Sequence, residues 1–384
     1  MRVNTFPRMT GWFPYTPAPP EWRLDWDTIH ATFPWIQALA GCPQDPVHHA
    51  EGDVWIHTRM VCEALIVLPA WRALSAEDRA TVFAAALLHD VSKPETTRVE
   101  DGGRVTARHH SPKGAVRSRR LLWELGVPPH LREAVCGLVR FHQVPYFCIE
   151  ADDPRRMLIR VSQVARSRLL AILCEADARG RVCADPQRLL DNIALFYELA
   201  HEQGCLDQPW SFPSPHARVL WFLNPQRDPD YAAYDDTRLE VVMMSGLPGT
   251  GKDTWLRRQR PDVPVVSLDQ IRRELGVHPR DNQGTVVQLA RERARVHLRA
   301  GQDFAWNATT LTEDTRRPLL RLFRDYNARV HIVCLEAHPV DHARQNRERE
   351  AVVPQSVIDR MIRRWQAPDR REAHKITRTG WKAH

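Results

Sequence analysis

Histidine and aspartate residues recur at helical positions in the first half of the chain, and their types suit metal-dependent chemistry. The adjacent pair His89-Asp90 ends the apolar stretch AAALLHDV, while His57, His142 and Asp177 lie in or at the ends of other apolar stretches. Burying an ionised aspartate is costly unless a cation or hydrogen bonds compensate. Imidazole and carboxylate together suit a divalent metal that prepares water for attack on phosphorus. Helix capping could explain one isolated pair, but the residues on the other helices favour a metal site.

The stretch GLPGTGKDT at 246–254 has the composition of a loop that binds nucleotide phosphates. Its glycines permit a tight turn and a close approach of backbone N–H groups to phosphates. Lys252 would neutralise charge on the transferred phosphate. The strand-like run before the loop and the helical pattern after it support this prediction. The residues expected to bind the nucleotide are Gly246, Gly249, Thr250, Gly251, Lys252, Asp253 and Thr254.

Asp253 departs from the usual loop pattern, which has a serine or threonine hydroxyl at this position to hold Mg²⁺. A carboxylate oxygen is also a hard ligand suited to that ion. We therefore expect Asp253 to serve Mg²⁺ directly or through water, with the hydroxyl of Thr254 outside the first layer of ligands.

Asp269 and Arg272 lie in VPVVSLDQIRREL, where a strand-like run passes into a helix. Asp269 could accept a proton from a hydroxyl nucleophile, and Arg272 on the same side could bind an acceptor phosphate. The alternative is an N-cap aspartate followed by a surface arginine. With the phosphate loop upstream, the pair favours phosphoryl transfer to a hydroxyl.

The elements that would position these residues form two domains of different class. Stretches such as DVWIHTRMVCEALIVL and HLREAVCGLVRFH have apolar residues at i, i+3, i+4 spacing, which predicts an all-α helical bundle. Later, short apolar runs alternate with helical stretches, which is typical of an α/β domain with a parallel sheet. We predict a first domain at 1–225, a proline-broken linker at 226–238 and a second domain at 239–384. A tryptophan-rich lead opens the first domain and would pack on the bundle or stack on bases.

Composition bounds the class of protein. The 384-residue chain has a net charge of +7, 43% hydrophobic residues and 26% charged residues, which is ordinary for a folded protein. No apolar window is long enough for a membrane span, and the first twenty residues do not resemble a signal peptide. The 8 cysteines are scattered without a C-x-x-C pair, so we expect reduced thiols in the cytoplasm. Arginines crowd the last seventy or so residues, which favours a polyanionic ligand over a merely solvated face.

The first half resembles the HD phosphohydrolase superfamily, most of all the HD domains of bacterial tRNA nucleotidyltransferases and their relatives. The resemblance covers about residues 40 to 185 through QDPVHHAEGDVWIHT, LLHDVSKPET, HHSPKGA and CEADARG. It implies hydrolysis of phosphomonoesters or phosphodiesters, including 2′,3′-cyclic phosphates. The metal would be a divalent transition ion such as Mn²⁺, Co²⁺, Ni²⁺ or Fe²⁺.

That resemblance also implies residue roles. Four residues match its metal ligands: His57, His89, Asp90 and Asp177. His110 and His142 match additional histidines that bind a second metal or contact phosphate, and Lys93 is a candidate phosphate-contacting cation. A helix-anchoring role is at least as expected as ligation for His49 and Glu51, and His109 is expected to be a bystander.

The second half, over about residues 239 to 375, resembles the 5′-hydroxyl polynucleotide kinases of phage and bacterial end healing. The matching motifs are G-x-P-G-x-G-K, D-x-x-R, WNATTLTEDTRR and RQNRERE. The resemblance implies that Asp269 is the general base and that Arg272 contacts the acceptor's 3′-phosphate. Asn307 lies where phage relatives have aspartate. The donor phosphates would be held by Arg349, with Arg344 and Arg347 as helpers.

The loop variant GLPGTGKDTW beside an N-terminal HD domain is similar to bacterial HD–polynucleotide kinase fusions. That similarity implies a bifunctional enzyme that heals RNA or DNA ends, using ATP or another nucleoside triphosphate with Mg²⁺. A separate polynucleotide ligase would be its partner, because a ligase needs a 3′-hydroxyl and a 5′-phosphate. Two alternatives stay open: an HD nucleotidase joined to a small-molecule kinase, and a nucleotide-gated binding module without polynucleotide chemistry.

Overall fold

The computed structural model describes residues 12–278, 280–349 and 351–383. The chain divides into two compact units, Met1–Trp210 and Ser211–His384. Residues 1–11, which include the start of the tryptophan-rich lead, lie outside the described residues, as does the last residue of RQNRERE. Within the described ranges, no helix has both the length and the apolar character needed to cross a membrane.

The first unit is a helical bundle, which confirms the all-α prediction. It also contains a 3₁₀ helix, Pro34–Ala38, and a short antiparallel hairpin of β1 (Arg98–Val99) and β2 (Val105–Thr106). Its helices are α1 (Trp26–Thr32), α2 (Val54–Val67), α3 (Pro69–Arg72), α4 (Ala76–Leu88), α5 (Lys93–Thr96), α6 (His110–Glu124), α7 (Pro129–Phe141), α8 (Val144–Phe147), α9 (Pro154–Ser162), α10 (Ser167–Arg179) and α11 (Pro186–Glu202).

Helix α4 is the centre of this bundle. The Ser75 side chain caps its first turn by accepting the Asp78 N–H, and every residue from Ala80 to Leu88 is buried. Helices α2, α7 and α10 pack around it. The predicted ligand pair follows directly after α4, so the end of this helix carries polar side chains into the interior of the bundle.

The described tryptophans of the lead pack on the same bundle. Trp12, Trp22 and Trp26 contact its hydrophobic core. The guanidinium groups of Arg72 and Arg79 lie 5.3 and 5.5 Å from the Trp22 ring centroid. These contacts favour the packing interpretation of the lead over stacking on bases.

The second unit is an α/β domain built on a five-stranded parallel sheet in the order β4-β5-β3-β6-β7. The P-loop class predicted from the sequence is therefore confirmed at the level of the fold. Its elements are α12 (Pro215–Leu223), β3 (Leu239–Ser245), α13 (Lys252–Gln259), β4 (Val265–Ser267), α14 (Leu268–Leu275), α15 (Gly284–Ala300), β5 (Phe304–Asn307), α16 (Glu313–Arg324), β6 (Ala328–Glu336), α17 (Pro339–Glu348), α18 (Gln355–Ile362) and β7 (Lys375–Gly380).

Two features of this unit differ from the sequence analysis. Strand β7 was not anticipated, because a polar strand at a sheet edge carries no continuous apolar run. Helix α12, which falls inside the predicted first domain, belongs to the second compact unit. The Arg218 guanidinium on this helix donates hydrogen bonds to the carbonyl oxygens of Arg370, Ala373 and His374 at 2.8 to 3.0 Å.

Candidate metal centre and phosphate-binding loop

The ends of several helices of the first unit bring imidazole and carboxylate groups together at one buried place. The six predicted ligands are at most 7% exposed. His57 lies in the first turns of α2, His89 and Asp90 follow α4, His110 begins α6, His142 follows α7, and Asp177 lies near the end of α10.

The acceptor that faces Nδ1 of each ligand histidine decides which ring nitrogen carries the proton. In His89, His110 and His142, Nδ1 lies 2.7–2.8 Å from the carbonyl oxygen three residues earlier. A carbonyl oxygen only accepts, so Nδ1 carries the proton of the neutral ring and Nε2 presents its lone pair to the centre. His57 reaches the same state because its Nδ1 faces a Glu51 carboxylate oxygen at 2.8 Å.

The inward nitrogens form two groups that share Asp90. Nε2 of His57 lies 3.3 Å from Nε2 of His89, and the same distance separates the Nε2 atoms of His110 and His142. Facing lone pairs at that distance repel each other unless a cation or a proton lies between them. Asp90 Oδ2 lies 3.2 Å from His89 Nε2, and Asp90 Oδ1 lies 3.4 Å from His110 Nε2.

Protein groups alone do not satisfy the carboxylate of Asp90. Its Oδ1 is buried and has no hydrogen-bond partner within the described part of the chain. Burial raises the pKa of Asp90, but the charges of Lys93 and His89 outweigh burial and hold the pKa well below its usual range. The carboxylate is therefore ionised, with an unpaired oxygen directed among histidine lone pairs. This donor set fits a divalent cation.

The pKa shifts of the histidines follow the same pattern. Burial lowers the pKa of His142 to about 3, so its ring is neutral and available as a ligand. Burial also lowers the pKa of His89, but Asp90 and Asp177 outweigh it and the net shift is upward. The two carboxylates thus favour a positive charge at His89. A metal ion could supply this charge as well as a proton does.

Tyr146 and Arg181 hold the carboxylate of Asp177. The Tyr146 hydroxyl donates to Asp177 Oδ2 at 2.7 Å, and Arg181 Nη2 lies 2.9 and 3.1 Å from the two carboxylate oxygens. The remaining side of Asp177 Oδ1 faces His57 Nε2 at 3.1 Å. Such outer partners fix the orientation of metal ligands.

Glu51 and Lys93 have comparable positioning contacts. Glu51 receives the Nδ1 side of His57 and also accepts the backbone N–H of Val182 at 2.9 Å, in agreement with an anchoring role. Lys93 Nζ lies 2.7 Å from Asp90 Oδ2 and donates to Gln44 Oε1 at 2.6 Å. Lys93 also lines the cleft that opens over the centre.

In the second unit, the loop between β3 and α13 has the geometry of a phosphate cradle. Gly251, with φ of 88°, directly precedes the first residue of α13, so the free N–H groups of that helix end point into the loop. A Cβ at Gly246 would collide with the carbonyl oxygen of Leu335. His342, which the sequence analysis did not single out, faces the Pro248 carbonyl oxygen through Nε2 at 2.9 Å and supports the loop from α17.

Lys252 lies buried beneath this loop. Its ammonium donates to the carbonyl oxygens of Gly246 and Leu247 at 3.0 and 2.8 Å. Burial lowers the pKa of Lys252 to about 8, opposed by the charges of Asp253 and Asp269 and assisted by Arg349. The charges of the base candidate Asp269 and of Arg349 therefore both act on the predicted phosphate-binding lysine.

Asp253 is held by Asn307, whose Nδ2 donates to Asp253 Oδ1 at 2.6 Å. Asn307 is the last residue of β5, so the neighbouring strand orients the carboxylate that replaces the usual hydroxyl. Thr254 is exposed, and its hydroxyl contacts Arg257 at 3.4 Å. Thr250 is buried and donates to the Leu247 carbonyl oxygen at 2.9 Å.

Asp269 and Arg272 form an ion pair on the first turns of α14. Arg272 is further fixed by Gln283, whose Oε1 accepts from its Nε at 2.6 Å. The Asp269 side chain is 66% exposed. A carboxylate that is open to solvent and held by a fixed guanidinium can receive a proton from an incoming hydroxyl.

The arginine-rich region divides into several environments. Arg349 Nη1 is buried without a hydrogen-bond partner in the described ranges, whereas Arg347 is exposed and Arg344 Nη2 pairs with Asp341 at 2.7 Å. Arg316 is 1% exposed and binds Glu372 through two nitrogens at 2.7 and 2.8 Å. Some of the crowded arginines thus form structural ion pairs, and the preference for a polyanionic ligand stays a prediction.

Comparison with known proteins agrees with this division. Residues 54–179 match the family model described as HD domain, and residues 241–368 match the model described as AAA domain. The chain joins an HD domain to a P-loop domain. The HD domain implies a divalent metal, for which the buried histidine and aspartate clusters are suitable ligands, and the P-loop domain implies a nucleoside triphosphate with Mg²⁺.

The curated relatives share only part of their length with this chain. A protein named Multifunctional CCA protein from Xanthomonas axonopodis pv. citri is 31% identical over 165 residues, which are 41% of this chain and 37% of the relative. Its namesake from Pasteurella multocida is 26% identical over 160 residues, with 40% and 36% covered. The chain therefore spans just over a third of the length of these relatives.

Several partners of the site residues in both domains were not predicted from the sequence. Tyr146 and Arg181 each follow a predicted ligand, His142 or Asp177, by four positions. Side chains four apart share one face only within a helix, but Tyr146 lies beyond the end of α7 and Arg181 lies beyond the end of α10. This spacing was therefore no signal, and none marks Gln44 or His342, because all these contacts depend on how separate segments fold together.

Proposed function

We propose that this protein heals broken RNA or DNA ends with two separate sites. The HD domain would remove a 2′,3′-cyclic phosphate or a 2′- or 3′-phosphate, and the P-loop domain would transfer the γ-phosphate of a nucleoside triphosphate to a 5′-hydroxyl. The observation that carries the proposal is the joint presence of a phosphoesterase-type ligand cluster and a phosphate loop flanked by Asp269 and Arg272.

The HD domain offers a suitable site for phosphoester hydrolysis. His57, His89, Asp90 and Asp177 would hold a divalent metal, with His110 and His142 beside it, and the bound ion would supply Lewis-acid chemistry. A water oxygen would attack phosphorus and break one P–O bond of the cyclic phosphate, and the ribose oxygen would take up a proton. A second hydrolysis would release inorganic phosphate and leave the 2′,3′-diol. Lys93 would neutralise phosphate charge near the scissile bond.

The P-loop domain offers the groups for transfer to a hydroxyl. The loop N–H groups and Lys252 would hold the donor phosphates, assisted by Arg349, and Asp253 would serve Mg²⁺. The 5′-oxygen would attack the γ-phosphorus while Asp269 accepts the hydroxyl proton. The bond to the bridging oxygen would break and release the nucleoside diphosphate. Arg272 would bind a phosphate of the acceptor strand.

A labelling assay tests the kinase half. Protein incubated with Mg²⁺, γ-labelled ATP and a 5′-hydroxyl oligonucleotide should transfer label to the oligonucleotide, with RNA and DNA acceptors compared in parallel. Label that appears equally on free nucleosides would instead support a small-molecule kinase. Absence of transfer to any acceptor would contradict the kinase proposal.

Two variants test the independence of the sites. Asp90→Ala should abolish phosphate release from 2′,3′-cyclic ends and leave 5′ labelling intact, while Asp269→Ala should have the reverse effect. Arg120, whose side chain pairs with Glu124 on α6, provides a control: Arg120→Ala should retain both activities. Loss of both activities in either site variant would count against two independent sites.

A further inference from the structure

The cleft over the metal-ligand cluster has apolar and basic side chains, alongside Asp45, Glu150 and Asp185, that the proposed chemistry does not use. The cleft has a volume of about 750 Å³ and includes Lys93, His110, Phe147 and Arg181 among its walls. Its size is within the range of small-molecule sites. Phosphoester hydrolysis needs only the polar base of this cleft, so the rim is available to recognise the rest of a substrate.

Phe147 presents an aromatic surface at this rim. Its side chain is 57% exposed, and Val47 in the loop before α2 is 65% exposed. Single exposed apolar residues are common on protein surfaces, but these two line the same cleft as the ligand cluster. An aromatic ring there offers a face on which a nucleobase can stack.

The backbone around Phe147 is fixed by the candidate metal centre. Phe147 ends α8, and the preceding residue, Tyr146, donates its hydroxyl hydrogen bond to Asp177. Asn192 on α11 donates to the Tyr146 carbonyl oxygen at 2.8 Å. The residue before Phe147 is therefore held through both its side chain and its backbone, which favours a pre-formed position for the Phe147 ring.

A cation completes this rim on the hairpin side. Arg104 lies between β1 and β2, is exposed, and lines the cleft. Among the residues that the structure describes, no acidic group lies within ion-pair distance of the Arg104 side chain. Arg108 nearby makes only a 3.5 Å contact with Glu100 and is 76% exposed. A guanidinium without an acidic partner and an aromatic ring that line one cleft match the backbone and bases of a single-stranded nucleic acid.

We propose that Phe147 and Arg104 form a subsite for the 3′ end of an RNA strand. Phe147 stacks on the terminal base, and Arg104 binds the phosphodiester one nucleotide upstream. This inference rests on the proposed function, since it assumes that the cluster below cleaves the terminal phosphate. It assigns the HD domain a nucleoside-containing substrate rather than any small phosphoester.

Two cyclic phosphates test the stacking contact. Cytidine 2′,3′-cyclic phosphate has a base, and glycerol 1,2-cyclic phosphate has none. In Phe147→Ala, the ratio of kcat/KM for the first to that for the second should fall about tenfold, mainly through KM. Phe147→Trp should retain the ratio, and Phe147→Leu should lose it. Leu195→Ala, at a half-exposed position of α11 outside the cleft, is the control.

Binding of a fluorescent RNA trinucleotide with a 3′-phosphate, measured by anisotropy, tests the same subsite without turnover. Arg104→Ala should weaken binding and reduce the slope of log affinity against log salt by about 0.7, as expected for one lost phosphate contact on a single strand. Arg120→Ala is the control, because Arg120 forms a partly exposed ion pair with Glu124 on α6 and is not among the residues that line the cleft. Phe147→Ala should weaken trinucleotide binding without changing this slope.

The outcomes separate the subsite from the reaction. An unchanged substrate ratio in Phe147→Ala, or an equal loss on both cyclic phosphates, would overturn the stacking role. An unchanged salt slope in Arg104→Ala would overturn the phosphate contact. If the wild-type protein hydrolyses neither cyclic phosphate, the proposed function has failed, and the anisotropy comparison still decides whether Phe147 and Arg104 bind RNA.

Discussion

Replacing Tyr146 by phenylalanine would test how the metal ligand Asp177 is oriented. The Tyr146 hydroxyl has two acceptors, the Cys174 carbonyl oxygen at 3.1 Å and Asp177 Oδ2 at 2.7 Å. It has one proton to donate, and the nearer, charged carboxylate is the better acceptor. Burial and the charge of Asp177 raise the pKa of Tyr146 well above its usual value, so the hydroxyl remains a donor. Tyr146→Phe removes this donor and keeps the ring.

The expected loss follows from the two groups that hold the carboxylate. A hydrogen bond to a charged group contributes about 1.5–3 kcal/mol, and loss of an outer partner lowers metal affinity about 10- to 100-fold. Arg181 would still contact both oxygens of Asp177. We therefore expect the lower end, a roughly tenfold weaker affinity for Mn²⁺ in Tyr146→Phe.

Competition with a calibrated chelator would measure this affinity, with circular dichroism to check that the variant folds. Tyr197→Phe is the matched control, because the Tyr197 hydroxyl accepts from Arg168 at 2.7 Å and is not part of the ligand cluster. Mn²⁺ affinity in Tyr146→Phe that stays within twofold of the wild-type value would refute the positioning argument.

Three further predictions concern the second unit. Asp253→Ser should retain kinase activity if the carboxylate serves Mg²⁺, while Asp253→Ala should lose it about 10- to 100-fold in initial-rate assays; equal activity of both variants would contradict this role. Gly246→Ala should destabilise the unit by about 1–3 kcal/mol in urea unfolding, because its Cβ would overlap the Leu335 carbonyl oxygen; a wild-type midpoint would contradict the overlap. Burial lowers the pKa of His374 from 6.5 to about 4, and its Nδ1 accepts the Val330 N–H at 3.0 Å. The stability it contributes should be full above pH 6.5 and fall by about 3 kcal/mol as the pH drops towards 4; His374→Gln should show a shallower decline, and an identical pH profile would refute the assignment.

Sequence periodicity predicted the fold class because both domains bury regular apolar patterns. Helix α4 is buried all round from Ala80 to Leu88, and β3 and β6 are buried strands between layers of helices. The edge strand β7 pairs with β6 alone and has a single apolar residue, Ile376, so it carries no apolar run from which it could be predicted. The predicted domain boundary near residue 225 rested on the composition of the linker. Composition does not reveal that the Arg218 side chain donates hydrogen bonds to backbone carbonyl oxygens after residue 369.

The candidate ligands were accessible to sequence reasoning because isolated polar residues interrupt apolar helices. Their partners were less accessible, because a hydrogen bond such as Asn307 to Asp253 joins residues on different elements. Asn307 carries no charge, and the structure shows that its amide can orient a neighbouring carboxylate. Positions identify candidates for chemistry, whereas packing decides what each candidate contacts.

The distribution of the predicted ligands along the chain has a consequence for folding. His57 Nδ1 lies 3.2 Å from the Gly180 carbonyl oxygen, 123 positions later, and its Nε2 faces Asp177. A metal bound at this place would cross-link the first and last thirds of the bundle and close a very long chain loop. A permanent cross-link over such a loop lowers the chain entropy of the unfolded state by an amount worth about 4–5 kcal/mol. A reversibly bound metal ion instead adds stability that increases with the concentration of free metal. The same ion would then govern both turnover and the lifetime of the folded HD domain in a metal-poor cell.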